Sequence, residues 1–278
     1  MKQKVKATVL CQQSIATSIY DLWIKTDLAK EAHAGQFVGV YPNDKSTLLP
    51  RPISICEVSD NKDALRLVYR VAGKGTAEFS NLKAGDEISI IGILGNGYDF
   101  KTIFGEDEVS IGSADFNQKY DICLMGGGIG IPPMLELAKE LRELGAKTTV
   151  IVGYRDAETY LNHDLAKYAE VKIATEDGSV GEKGNVFNVV DNQKLSPNVI
   201  MACGPMPMLR AIKKYAESES NNGRNVQAFI SLEERMACGV GACLGCVAKT
   251  TKEDHHSHVN NTRICTDGPV FNSADVDI

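Results

Sequence analysis

Four cysteines late in the chain carry the sharpest chemical signal: Cys238-x4-Cys243-x2-Cys246, then Cys265 after eighteen intervening residues. Four thiolates are the ligand set of a [2Fe–2S] cluster, and C-x4-C-x2-C…C is the plant-type spacing for one. Between Met236 and Cys246 the chain is otherwise small, with glycines at 239, 241 and 245. Small residues let backbone N–H groups approach the sulfurs, and those hydrogen bonds help set a cluster's potential. Structural zinc also accepts four thiolates, but it favours paired short spacings, whereas here three cysteines crowd one loop. The other four of the eight cysteines, at 11, 56, 123 and 203, are scattered. In a reducing compartment a cysteine cluster more often holds metal than a disulfide.

Three further constellations precede this one. Met125-Gly126-Gly127-Gly128-Ile129-Gly130-Ile131-Pro132-Pro133 lies between a strand pattern and a helix pattern. Glycines there permit a tight turn and close backbone approach to a dinucleotide phosphate at the helix start. A tight strand–helix connection is the plain alternative, and the missing Gly-Lys-Ser/Thr excludes a P-loop. Ala202-Cys203-Gly204-Pro205-Met206-Pro207-Met208 stands at a strand's carboxyl end, where open α/β sheets bind ligands. An isolated cysteine is by default an inert buried thiol, but the Gly-Pro and helix start after Cys203 point to an exposed lip. Arg51-Pro52-Ile53-Ser54, Val68-Tyr69-Arg70 and Gly73-Lys74-Gly75-Thr76 come earliest. Arginine binds pyrophosphate oxygens bidentately, and Ser54 can bond a flavin edge. Alone, these are ordinary strand and turn residues.

The elements that must position these residues fall into three regions. Residues 1–100 contain short β-branched runs at 5–10, 20–24, 36–40, 64–69 and 87–91, separated by turn residues. That spacing predicts a closed antiparallel β-barrel. Trp23, the one tryptophan, belongs to its core or surface. Residues 101–119 are polar and acidic and read as a linker or insertion, with Glu106-Asp107-Glu108 a solvated run. Residues 120–222 alternate strand and helix. Strands are expected near 120–125, 148–152, 171–175 and 198–202, and helices over 132–144, 158–169 and 206–218. That order implies a doubly wound parallel α/β sheet. Residues 223–278 open with a strand at 226–232 and form a C-terminal cysteine-loop module.

Composition narrows the function. The 278 residues carry a net charge of −6, with 30 basic and 36 acidic side chains and no basic run, which disfavours nucleic acid. No stretch reaches the roughly 18 apolar residues a membrane helix needs. Met1 to Cys11 lacks the apolar core of a signal peptide, so a cytoplasmic protein is expected.

Taken in order, these motifs resemble those of the ferredoxin-reductase-like flavoproteins. Arg51 to Ser54 is similar to their Arg-x-Tyr/x-Ser flavin motif, with Ile53 where many carry tyrosine. Met125 to Pro133 and Cys203 to Met208 look like their nicotinamide-nucleotide motifs. Ser231-Leu232-Glu233-Glu234-Arg235-Met236-Ala237-Cys238-Gly239-Val240-Gly241-Ala242-Cys243 closely resembles the electron-transfer subunits of NAD-dependent (type 1B) dihydroorotate dehydrogenases.

The resemblance implies FAD on Arg51, Pro52, Ile53, Ser54, Val68, Tyr69, Arg70, Gly75 and Thr76. It implies NAD as co-substrate at Gly127, Gly128, Gly130, Cys203, Gly204, Pro205 and Met206. It implies a [2Fe–2S] cluster on Cys238, Cys243, Cys246 and Cys265. It also implies an FMN-containing catalytic partner that oxidises dihydroorotate in pyrimidine biosynthesis, in a heterotetramer of two of each chain. Electrons would run from partner FMN through [2Fe–2S] and FAD to NAD+, with no general acid or base needed here. The alternative is the small subunit of another NAD(P)H–ferredoxin oxidoreductase or sulfide dehydrogenase, many of which replace one cluster cysteine by aspartate. Arg155 could serve an NADP 2′-phosphate, but the neighbouring Asp156 would oppose one, and the sequence leaves this open. His33 and His163 receive no role, and His255, His256 and His258 read as a solvated loop.

Overall fold

Alternation along Ala64–Arg70 sets the first layer. Leu65, Leu67 and Tyr69 point into one apolar core, while Val68 packs in another. In the computed structural model, which describes residues 2–105, 110–253 and 258–278, this strand belongs to a closed barrel. Its strands are β1 (Gln3–Ala16), β2 (Ile19–Lys25), β3 (Phe37–Tyr41), β4 (Arg51–Val58), β5 (Ala64–Arg70) and β6 (Glu87–Leu94). They run in the order β1-β2-β5-β4-β3-β6, antiparallel throughout, with β1 closing on β6. The sequence pattern yields five of these; β4 is the sixth, hidden because it begins Arg-Pro. Pro52 is tolerated because residues 51–54 of β4 pair only with β3, and pairing to β5 begins at Ile55. Residues 68–70 of β5 likewise pair only with β2. The two strands therefore part and leave a cleft. A short helix, α1 (Lys74–Phe79), follows β5.

The polar stretch 101–119 is more than a tether. It includes most of α2 (Phe100–Phe104) and all of α3 (Ala114–Lys119), capped by Asp99 and Ser113 side chains. Phe104, Phe116 and Tyr120 pack with ring centroids 4.9–5.0 Å apart, and Phe116 is fully buried. The Glu106-Asp107-Glu108 run lies outside the described residues, as do His255 and His256.

The second layer is a seven-stranded sheet. Its strands are β7 (Ile122–Gly127), β8 (Thr148–Tyr154), β9 (Glu170–Thr175), β10 (Glu182–Lys183), β11 (Val199–Cys203), β12 (Gln227–Ser231) and β15 (Val270–Asn272). Their order is β10-β9-β8-β7-β11-β12-β15, parallel except for the edge strand β15. Helices α4 (Pro133–Glu143), α5 (Asn162–Leu165), α6 (Val186–Asn192) and α7 (Met206–Asn221) cover it. Alternate residues of β7 and β11 enter opposite cores: Ile122, Leu124, Val199 and Met201 lie with α4, whereas Cys123, Met125, Ile200 and Ala202 lie with α6 and α7. The sheet is therefore doubly wound, as the strand–helix alternation implies.

Three details differ from the sequence pattern. The helix expected over 158–169 is a single turn, because Leu161 takes φ +63° and Tyr160 is drawn away to bond Gly128 O. Helix α6 escapes notice because its valines favour strands. A cut at residue 222 would divide the large sheet, since β12 and β15 both lie beyond it. Between those strands the chain leaves the sheet as the cysteine loop and β13 (Val247–Thr250) and β14 (Asn261–Arg263), and β16 (Val276–Asp277) later joins β13.

Polar contacts bind barrel to sheet. From α4, Glu136 accepts the Val58 N–H at 2.7 Å, Lys139 donates to Val58 O at 2.8 Å and to Asp60 at 2.7 Å, and Glu140 accepts the Ala34 N–H at 2.9 Å. Arg66 of the barrel meets Asp21 and Glu57 at 2.9 Å and Asp164 of α5 at 3.0 Å. Burial pushes the Glu136 carboxyl up to about 7.

Candidate functional site

The parting of β4 and β5 opens a cavity of ≈ 520 Å3, within the usual range for bound small molecules. Arg51, Pro52, Ile53, Ser54, Val68, Tyr69, Arg70 and Thr76 all border it. Gly75 stands just behind. A Cβ there would lie 2.6 Å from Arg51 Nε, so only glycine leaves the guanidinium room against this turn. Thr76 Oγ1 is spent on the turn itself, accepting the Ala72 and Gly73 N–H groups at 2.9 and 3.2 Å. Tyr69 offers the cavity little of its ring, which stacks on Tyr20 and donates its hydroxyl to Gln12 at 2.8 Å. Free backbone groups on split strands, two arginines and an apolar floor fit a flavin dinucleotide: apolar for the rings, cationic for the pyrophosphate.

The opposite wall lies outside the flavin and nicotinamide motifs. Ser231, Leu232, Glu233, Glu234, Arg235 and Met236 line it, with Pro269 beside them. Two signals in the sequence point to this wall. It follows the carboxyl end of a parallel strand, and it runs directly into Cys238.

The nicotinamide motifs meet at the switch point of the sheet, where β8 and β9 lie to one side of β7 and β11 and β12 to the other. The glycines divide by role. A Cβ on Gly130 would collide with the Cys203 carbonyl, and one on Gly127 would lie 2.8 Å from Met208 Sδ. A Cβ on Gly204 would lie 2.6 Å from Met208 Cε. These three let the two loops touch. Gly128, at φ +54°, faces open space, with its carbonyl bound by Tyr160 at 2.7 Å. Pro205 and Met206 start α7 at the same edge.

Cys203 is not an exposed lip. It ends the central strand β11, flanked by β7 and β12, and is completely buried. Its Sγ lies 3.7 Å from Glu233 Oε1. Burial, then the Glu233 carboxylate, push this thiol's pKa well up. Burial also raises Glu233, against the pull of Cys203 and Arg70.

The four clustered cysteines come together from two directions. Cys238 accepts the Val240 and Cys243 N–H groups, each at 3.4 Å. Burial alone would raise the Cys238 thiol. The N–H groups of Val240, Cys243 and Ala242 and the Cys243 thiol bring it down to about 7. Gly239 and Gly241 make this wrap possible at φ +67° and +81°. Cys246 and Cys265 are buried neighbours, aligned by the Ile264 N–H to Cys246 O bond at 2.9 Å. Burial, then the Cys246 thiol, raise Cys265 to about 11. Among the described residues no three His, Cys, Asp or Glu side chains gather as one ion requires. The thiols pair two and two, a donor set suited to two irons with two thiolates each.

The remaining polar candidates sit elsewhere. His33 lies 3.6 Å from Glu140, His258 lies 3.2 Å from Glu253, and Arg155 is 3.6 Å from Asp156 on the surface.

Comparison with known proteins agrees with this geometry. The family model for the iron–sulfur cluster binding domain of dihydroorotate dehydrogenase B matches residues 233–277. The dihydroorotate dehydrogenase B (NAD(+)) electron transfer subunit of Streptococcus mutans is 38% identical over 98% of both chains. That of Fusobacterium nucleatum is 38% identical over 95% of both. Among solved structures, an NADH-dependent reduced ferredoxin–NADP oxidoreductase superposes with a TM-score of 0.79 at 26% identity, over 98% of this chain and 89% of that one. A Neisseria gonorrhoeae ferredoxin NADP+ reductase, at 18% identity, gives 0.62 over 77% of this chain and 91% of its own, which speaks to the fold alone. Full-length similarity at this level places the chain in the family of electron-transfer subunits of NAD(+)-dependent dihydroorotate dehydrogenase B.

Proposed function

We propose that this chain conducts electrons from an FMN-containing dihydroorotate dehydrogenase subunit, through a [2Fe–2S] cluster and FAD, to NAD+. Bound here, the cluster would exchange single electrons and the flavin would convert them in pairs to hydride. The observation that carries this reading is continuity of chain. The cavity wall ends at Met236, two residues before Cys238, and Pro269 on the same wall is four residues after Cys265. Two short backbone routes thus join the thiol pairs to the cavity.

Each group of residues has its task. Arg51 and Arg70 would hold pyrophosphate, and Pro52, Ile53, Ser54 and Val68 to Thr76 would shape the flavin cleft. Gly128 and Gly204 to Met206 would receive the nicotinamide dinucleotide at the switch point, with Gly127, Gly130 and the buried Cys203 packed beneath them. Cys238, Cys243, Cys246 and Cys265 would ligate the irons. Val240, Leu244 and Val247 are exposed apolar side chains on and beside the cysteine loop, and they would dock the catalytic subunit. We expect a heterotetramer of two of each chain. Among the described residues no helix is long and apolar enough to cross a membrane. A cysteine cluster that would hold iron and not disulfides suits the cytoplasm.

A visible spectrum of anaerobically purified protein, before and after NADH, tests the reading. Flavin and [2Fe–2S] bands that both bleach are expected. Zinc in place of iron, absence of flavin, or bands indifferent to NADH would overturn it.

A further inference from the structure

Beside the cysteine pairs lies a cation that the route above does not use. Arg263 ends β14 and stands opposite Val247, the residue after Cys246. It is therefore carried on the strand that aligns Cys246 with Cys265. Gly241 lies on its other side. A Cβ there would meet Thr266 Cγ2 at 2.8 Å and approach Arg263 Nη1 to 3.5 Å. Gly241 belongs to the loop that carries Cys238 and Cys243. The guanidinium thus rests against the cysteine loop itself.

Asp267 fixes the fork. Arg263 Nε and Nη2 donate to its two oxygens at 3.2 and 3.1 Å, and the Arg263 backbone N–H donates at 2.8 Å. The Thr262 and Thr266 hydroxyls complete the carboxylate's partners at 3.3 and 3.1 Å. A planar guanidinium held at this many points keeps one orientation.

We propose that Arg263, oriented by Asp267, is a positioning residue that sets the reduction potential of a [2Fe–2S] cluster on Cys238, Cys243, Cys246 and Cys265. The proposal rests on the cluster assignment. One-electron reduction adds a negative charge to the cluster and its sulfurs, and a cation against them favours that state. The Arg263 side chain is 42% exposed in the isolated chain. A partner seated on Val240, Leu244 and Val247 would exclude water from the fork and strengthen its pull. Electrons would then be drawn onto the cluster most strongly in the assembled complex.

The test is a redox titration of the cluster, followed by electron paramagnetic resonance, in anaerobically purified wild-type, R263Q and R263K holoprotein. At the wild-type midpoint, R263Q should show a reduced-to-oxidised ratio lower by up to about tenfold, which for a one-electron couple is about 59 mV. R263K keeps the charge and should stay within about twofold of wild type. A fully loaded R263Q with an unchanged ratio would overturn the proposal. So would R263Q that sheds its cluster, which would make the arginine structural, or R263K that behaves as R263Q does. Wild-type protein without any reduced-cluster signal would instead bring down the cluster assignment itself.

Discussion

The switch point and the cysteine loop do comparable work by opposite means. At the switch point every close approach is between atoms of the protein: Gly130 against Cys203, and Gly127 and Gly204 against Met208. Gly127, Gly130 and Cys203 are buried there, and the two loops need nothing else to hold their shape. In the cysteine loop, Cys243 and Leu244 are exposed, regular structure is absent from 238 to 246, and the chain turns on Gly239 and Gly241. Sulfurs and N–H donors converge there. One site is set by packing before any ligand arrives; the other gains its order from what it binds.

Substitutions should separate the two. The largest effect is expected from Cys243→Ser, which should abolish or strongly deplete the cluster while some FAD stays bound. Iron and sulfide analysis beside flavin absorbance measures both, and full iron content would show that Cys243 is not a ligand. Gly130→Ala should do the reverse. The added methyl meets the Cys203 backbone, so stability should fall by about 1–3 kcal/mol in chemical denaturation while iron content holds. A variant as stable as wild type would mean that the two loops are not in contact.

Arg51→Ala probes the cleft between these extremes. We expect about tenfold weaker FAD retention on dialysis, close to 1.4 kcal/mol, with the cluster intact. Unchanged flavin occupancy would remove Arg51 from the site. The smallest effect is at the seam between domains. Folded Glu136 keeps its proton to about pH 7, whereas its ordinary value is 4.5, so the folded state binds more protons between those limits. Its contribution is therefore complete below pH 4.5 and is lost as pH rises through 7. Glu136→Gln keeps an acceptor for Val58 and should flatten that decline, gaining on the order of 1 kcal/mol at pH 8. Parallel stability–pH curves for the two proteins would contradict this.

Chemistry is more legible in the sequence than architecture. The four cysteines stand out because metal ligation constrains spacing directly, whereas Arg51 to Ser54 stands out only through the family resemblance. Strand β4 does not stand out, since its proline and partial pairing break the alternation that marks a strand. Phe116 hides among polar neighbours, because three aromatics at irregular spacing form a cluster only once α2 and α3 fold together. Cys203 misleads for a different reason. Gly-Pro and a helix start describe the chain beyond the residue, whereas its burial is decided by strands β7 and β12, far away in sequence. Glu233 carries no signal of its own in the sequence. Its place beside Cys203 depends on β11 and β12 ending side by side.

The way β12 and β15 pair has a consequence for ancestry and engineering. Ser231 stands directly across from Val270, so the segment between them starts and finishes at neighbouring points on one sheet edge. Such a segment has the form of a cassette. It can be acquired or lost without rethreading the sheet, because a tight hairpin would rejoin the two ends. A shortened chain of that kind would keep the barrel and the sheet with its antiparallel edge, and would have to rebuild the cavity wall now formed by Leu232 to Met236 and Pro269. The one-electron relay would then be the transplantable part, and the barrel and sheet its host.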